Sequence, residues 1–362
     1  MSKAYLILEN GKVFEGTSLG KVGRTLGEVV FNTGMVGYLE TLTDKNNCFQ
    51  IVVQTFPMIG NYGVISEDFQ SEKVHVSGYV VREMCDKPSN FRCEGTLGEY
   101  LEKNGVVGIC GIDTRALTRI LREEGTMRGM ISDCGDVTSE VLDQIKSFKI
   151  EKPVKSVSRQ NEKYTTPLAK QTIALYDFGT GKGVIDNLLH LDCNVSVFNC
   201  EATAEEILAT KPDGILISDG PGDPGDNQQA IAEIKKLFDK KIPMFGIGLG
   251  HELMALALGA DTFKLPYGHR GASGPCKNLE TGVLSIITQN HGYCVVRETL
   301  PECMSVSHEN ANDKTIEGIV YKNSPAFSCQ FRPDAGTSPT GEKSLYVKFT
   351  ELCKEVNFNA VK

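Results

Sequence analysis

From residue 173 onward the chain alternates short β-branched or aromatic runs with amphipathic stretches, and this alternation is the strongest constraint on its fold. Residues 173–178 read as a strand, followed by a glycine turn and a helix over 184–191. A strand at 194–198, a helix at 204–209, a strand at 214–218, a helix at 227–238 and a strand at 243–247 follow. Strand–helix–strand repetition implies right-handed crossovers and a parallel sheet. Ligands of such sheets bind beyond the carboxyl ends of the strands, which directs attention to Gly179, residues 218–223 and residues 246–252.

The preceding residues have a different texture. Runs at 5–8, 11–16, 29–34 and 50–54 are β-prone and bounded by turn residues. The spacing of Leu117, Ile120 and Leu121 predicts a helix over Thr114–Glu124, with Asp113 as N-cap and Gly125 as stop. Residues 149–171 are polar and lack any apolar period, the signature of a linker. The expected organisation is therefore α/β in two domains: a β-rich domain at 1–150, a linker at 151–171, and a domain with a mainly parallel sheet at 172–362. At 362 residues there is chain enough for two cores.

Charge and cysteine usage narrow the function classes. With 38 basic and 46 acidic residues the net charge is −8, which offers nucleic acid no electrostatic footprint. No run of 18 apolar residues occurs, and the first twenty residues lack the apolar core of a secretion signal, so no membrane is expected. The 12 cysteines are scattered without a CxxC pair. Reduced thiols in a cytoplasmic protein, and no metal site, are the expectation.

Three segments could carry chemistry. Residues 179–183 fail the phosphate-loop pattern, because Tyr176 stands where its first glycine belongs and Gly183 where its Ser or Thr belongs. Residues 218–224 follow an apolar strand and frame a proline with Gly220 and Gly222, which makes either a carboxylate cradle or an ordinary surface turn. Residues 246–252 join a strand to a helix in the layout of a nucleophile elbow, but its central residue is Gly248, which carries no nucleophile. A fourth segment, residues 289–293 after a strand at 283–288, supplies polar recognition or is merely a turn.

On these residues the second half resembles a class I (triad-type) glutamine amidotransferase domain. Residues 8–16, 27–38, 57–63 and 111–115 narrow the resemblance to the small subunit of carbamoyl-phosphate synthase, over nearly the whole chain. That family implies glutamine hydrolysis by a Cys–His–Glu triad and passage of ammonia to a large subunit. The large subunit uses ATP and Mg2+ with bicarbonate to make carbamoyl phosphate for arginine and pyrimidine synthesis. The implied partners are this large subunit and glutamine or another small ligand, and no cofactor is expected on this chain.

The sequence departs from the family at every catalytic position. Gly248 stands for the nucleophile, Arg332 for the base and Asp334 for the third member. Glu252 replaces a substrate-contacting glutamine, and Asn46 aligns with a serine that also contacts glutamine. Gly220, Gly222, Leu249, Asn290 and Gly292 keep the family's pocket residues, with Tyr293 replacing a phenylalanine. Arginine stays protonated at any working pH, so Arg332 cannot act as the base. The expected state is a vestigial pocket in which Arg332 pairs with Glu252 or Asp334. His251 and His291 are expected to pack or hydrogen-bond, and His269 to lie on a surface loop. Three functions compete: a glutaminase-dead subunit of an ammonia-using synthase, a repurposed small-ligand-binding or regulatory pseudoenzyme, and an enzyme of altered chemistry. Retention of the first domain favours the first, and the lack of a nucleophile ranks the third last.

Overall fold

The β-rich runs ahead of Ser132 close on themselves. Their strands are β1 (Lys3–Leu8), β2 (Val13–Gly20), β3 (Thr25–Asn32), β4 (Gln50–Gln54), β5 (Met58–Ile59), β6 (Gly78–Val80), β7 (Glu83–Met84), β8 (Val107–Cys110) and β9 (Met127–Ser132). Seven of them form a closed barrel in the order β1-β2-β8-β6-β4-β3-β9, while β5 and β7 pair separately. Closure removes the free sheet edges that would otherwise invite association. The helices of this part are α1 (Tyr38–Thr43), α2 (Leu97–Lys103), α3 (Thr114–Glu124) and α4 (Ser139–Ser147). In α3 the Asp113 carboxylate accepts from the Arg115 and Ala116 N–H groups at 3.1 and 2.9 Å, and Leu117 and Leu121 are buried. The cap and the apolar stripe give this helix the bounds that the sequence indicates.

The computed structural model describes residues 2–333 and 344–360. The chain divides into two units, Met1–Glu151 and Lys152–Lys362. The stretch expected to be a linker instead contains α5 (Pro153–Val157) and β10 (Glu162–Tyr164), and it belongs to the second unit. Proline at the first helical position presets φ for α5, and Val154 and Val157 bury against the second unit's core side. β10 adds antiparallel to a neighbouring strand, with Glu162 opposite Val197. Elements this short leave no periodicity for a sequence pattern to register.

The second unit continues with β11 (Gln171–Tyr176), α6 (Lys182–His190), β12 (Cys193–Phe198), α7 (Ala204–Ala209), β13 (Gly214–Ile217), α8 (Gln228–Phe238), β14 (Met244–Ile247) and α9 (Leu249–Ala257). Then come β15 (Thr262–Asn278), β16 (Leu284–Val295), β17 (Met304–Asn310), β18 (Ile316–Tyr321), β19 (Ala326–Cys329) and α10 (Ser344–Ala360). They build one ten-stranded sheet, in the order β10-β12-β11-β13-β14-β19-β18-β17-β15-β16. Strands β12, β11, β13, β14 and β19 are parallel. The β13 strand is apolar throughout because both faces are covered: Ile215 and Ile217 enter one core cluster and Leu216 the other. Beyond β19 an antiparallel wing extends the sheet. Residues 289–293 do not follow a strand but lie inside β16. Chain order reverses at β11, which places a ligand crevice at the carboxyl ends of β11 and β13.

Candidate functional site

The turn from β14 into α9 has the geometry of an elbow. Gly248 caps α9 with φ 54° and ψ −115°, a conformation that strains any residue with a side chain. Its N–H donates to the Cys329 carbonyl at 2.9 Å, and its own carbonyl accepts from the Glu252 N–H at 3.2 Å. The helix start is drawn against β13, where the Gly250 N–H donates to the Ser218 carbonyl at 2.9 Å. A Cβ on Gly250 would collide with the Ile217 carbonyl oxygen. Gly250→Ala is therefore expected to cost at least about 1–3 kcal/mol, the usual penalty of overpacking, as measured by urea unfolding. Unchanged stability would contradict this close approach.

The loop after β13 lies beside the elbow. The Phe178 N–H donates to Ser218 Oγ at 2.9 Å, and Ser218 Oγ donates to the Asp219 carbonyl at 2.8 Å. A Cβ on Gly220 would come 2.9 Å from Leu249 Cδ2, so these two expected pocket residues are neighbours. Gly222 backs onto Pro153 of α5. A Cβ on Gly248 would stand 3.0 Å from Asp219 Cβ, which puts Asp219 alongside the empty nucleophile position.

Among the described residues Arg332 faces Asp219 rather than the expected Glu252. Its Nη2 lies 3.4 Å from Asp219 Oδ2, with the two side chains only 9% and 2% exposed. The Arg332 N–H donates to the Thr288 carbonyl at 2.9 Å, which fixes the backbone at this point. Asp334 falls outside the described residues. Glu252 is buried on the first turn of α9, where burial pushes its pKa up to about 8; Asp223 adds to the rise and the Gln330 amide opposes it. At neutral pH it is therefore a protonated acid shaped like the glutamine of the family pattern, not the expected anion.

The histidines divide by environment. Burial pushes the His251 pKa down to about 3, and its Nδ1 lies 2.8 Å from Ser328 Oγ, so it is a neutral hydrogen-bonding group. Burial also pushes His291 well down, with its Nδ1 2.8 Å from the Tyr293 carbonyl. Asn290, Gly292 and Tyr293 share β16 with His291, where Asn290 is opposite Arg270 and Tyr293 opposite Lys264; α9 packs against this strand. His269 lies on β15 rather than on a surface loop. Asn46 belongs to the first unit, in a short turn where its N–H donates to Asp44 Oδ1 at 3.0 Å.

Comparison with known proteins accounts for both units. The family model "Carbamoyl-phosphate synthase small chain, CPSase domain" matches residues 6–131, and "Glutamine amidotransferase class-I" matches residues 174–352. The carbamoyl phosphate synthase small chain of Clostridium perfringens is 48% identical over 347 residues, covering 96% of this chain and 98% of the relative. The chain belongs to the carbamoyl phosphate synthase small chain family. The small chain of Bacillus caldolyticus is 46% identical over 358 residues, with 98% of each covered, and that of Listeria innocua 43% over 355 residues, with 97% of each covered.

Within a small chain, the elbow and the loop after β13 converge on Gly248, Asp219 and Arg332. Asp219 was the residue missed as a partner for Arg332. Its position, just beyond the carboxyl end of β13 at the point where strand order reverses, is the signal that could have found it. Among the described histidines near the elbow, His251 and His291 are held neutral by burial and bonded elsewhere. Burial also pushes the Cys193 thiol up to about 11 and raises Cys294, which makes them inert rather than nucleophilic.

Proposed function

We propose that this protein is a small chain that no longer hydrolyses glutamine and acts as the non-catalytic cytoplasmic partner of an ammonia-using large chain. ATP and Mg2+ would act on that large chain, in the synthesis of carbamoyl phosphate for arginine and pyrimidines. The observation that carries this reading is the elbow: Gly248 holds the strained turn, and the guanidinium paired with Asp219 stands in sequence where the base belongs. Amide hydrolysis by a cysteine needs a thiolate and a group that takes and returns a proton near neutral pH. A glycine and an arginine supply neither. Gly220, Gly222, Leu249, Glu252, Asn290, Gly292 and Tyr293 of the second unit are then the remnant of a glutamine pocket.

The test is nitrogen-source dependence. A complex of this chain with a carbamoyl phosphate synthase large chain is expected to form carbamoyl phosphate from ammonium and none from glutamine above background. Equal rates from both sources would overturn the loss of glutaminase activity. Failure of the two chains to co-purify would overturn the partnership and favour the repurposed pseudoenzyme.

A further inference from the structure

The antiparallel wing gathers a second set of residues that the elbow does not use. We propose that His269 on β15, His291 on β16 and Glu317 on β18 form a binding site for a divalent transition-metal ion of the zinc class. One donor atom from each lies within 4.8 Å of the others. Two imidazoles and a carboxylate are a donor set that suits such a cation.

Each imidazole is oriented from behind. His269 Nε2 lies 2.8 Å from Asp313 Oδ2, and His291 Nδ1 lies 2.8 Å from the Tyr293 carbonyl. Both partners accept only, so these outer nitrogens carry protons and the other nitrogens, His269 Nδ1 and His291 Nε2, turn their lone pairs inward when neutral. Fixing tautomer and ring direction through the second nitrogen is how proteins orient metal-binding histidines.

The carboxylate contributes the second observation. Glu317 is fully buried, and among the described residues its Oε2 has no hydrogen-bond partner. A carboxyl oxygen left so is costly unless something completes the site. The Gln289 amide nitrogen marks the focus of the cluster: it lies 2.6 Å from Glu317 Oε1, 3.3 Å from His291 Nε2 and 3.4 Å from His269 Nδ1. An amide nitrogen has two protons and cannot satisfy three acceptors. A cation with ligands at about 2.0–2.2 Å would draw the three donors inward and displace this amide, or turn its oxygen in as a fourth ligand.

Charge favours the same occupant: the Asp313 and Glu317 carboxylates flank the His269 imidazole at 2.8 and 3.7 Å, so acidic groups surround the cluster. Access is from the Asp313 side, where that carboxylate is 41% and His269 15% exposed. Such a site would tie β15, β16 and β18 together, independently of whether the elbow hydrolyses glutamine.

Full-length protein stripped with a chelator and titrated with Co2+, a visible stand-in for zinc, tests the site. One equivalent is expected to bind with the d–d bands of nitrogen and oxygen coordination, without a sulfur charge-transfer band. Addition of Zn2+ is expected to bleach these bands and to raise Tm. Asp313→Asn, which changes only a half-exposed residue behind His269, is expected to weaken binding about 10- to 100-fold. Glu317→Gln is expected to abolish it; should that buried variant fail to fold, His269→Asn decides instead. Absence of binding by the wild type, a sulfur band, or unchanged affinity in Asp313→Asn and His269→Asn would overturn the proposal.

Discussion

Gly248→Cys combined with Arg332→His is expected to release glutamate from glutamine about 10^2- to 10^4-fold faster than Gly248→Cys alone, the usual worth of a positioned general base. The single variant is expected to remain near background. Its sulfur returns to an elbow already bent for it, at φ 54°. The new Cβ would lie 3.0 Å from Asp219 Cβ, so the loop after β13 must yield by a few tenths of an ångström. Holding a side chain in that conformation costs about 1–3 kcal/mol, which a well-packed strand–helix turn sustains. The guanidinium of Arg332 would favour the thiolate, yet nothing would protonate the departing ammonia or activate water for deacylation. Histidine at 332 supplies that proton carrier on a backbone already fixed by the Thr288 carbonyl. Nearby Asp219 would raise the new imidazole's pKa, shifting the optimum toward higher pH. Substantial turnover from the single variant would instead show that His251 or His291 serves as base despite its burial. The measurement is glutamate release by both variants, prepared free of host amidotransferases.

Where the sequence was informative, local physics and global fold agreed. Asp113 caps α3 because its carboxylate reaches the first N–H groups, and that needs only residues adjacent in the chain. The β11-to-α9 alternation was legible for the same reason: every covered strand reads as a short apolar run. The antiparallel wing was not legible, since β15 holds glycines, prolines and register shifts that erase a period of two. Residues 289–293 look like a turn for their polarity, yet they stay in β16 because the polar side chains find partners on β15 and β18. The Arg332–Asp219 pair joins segments far apart in sequence, so no local pattern could select Asp219 over Glu252. His269 illustrates the same limit: its place beside Asp313 and Glu317 is set by strand pairing alone.

Glu252→Gln is expected to stabilise the protein at alkaline pH while leaving it unchanged in mild acid. The carboxyl is buried on α9, and its pKa moves from an ordinary 4.5 to about 8 because burial penalises the charged form. The folded state therefore keeps its proton between those two values while the unfolded chain loses it. Stability must fall as pH rises through this window, the reverse of a salt-bridged carboxylate, and flatten above it. At about 1.4 kcal/mol per pH unit, the loss across the window is on the order of 5 kcal/mol. Glutamine has the shape of the protonated acid and no proton to lose, so the variant escapes the decline. Urea unfolding of both proteins should give nearly equal stabilities near pH 4.5 and a gap that widens until about pH 8, then stays constant. Parallel pH profiles would mean that Glu252 ionises freely, that a cation compensates it in the pocket, and that the remnant glutamine site is more polar than its burial implies.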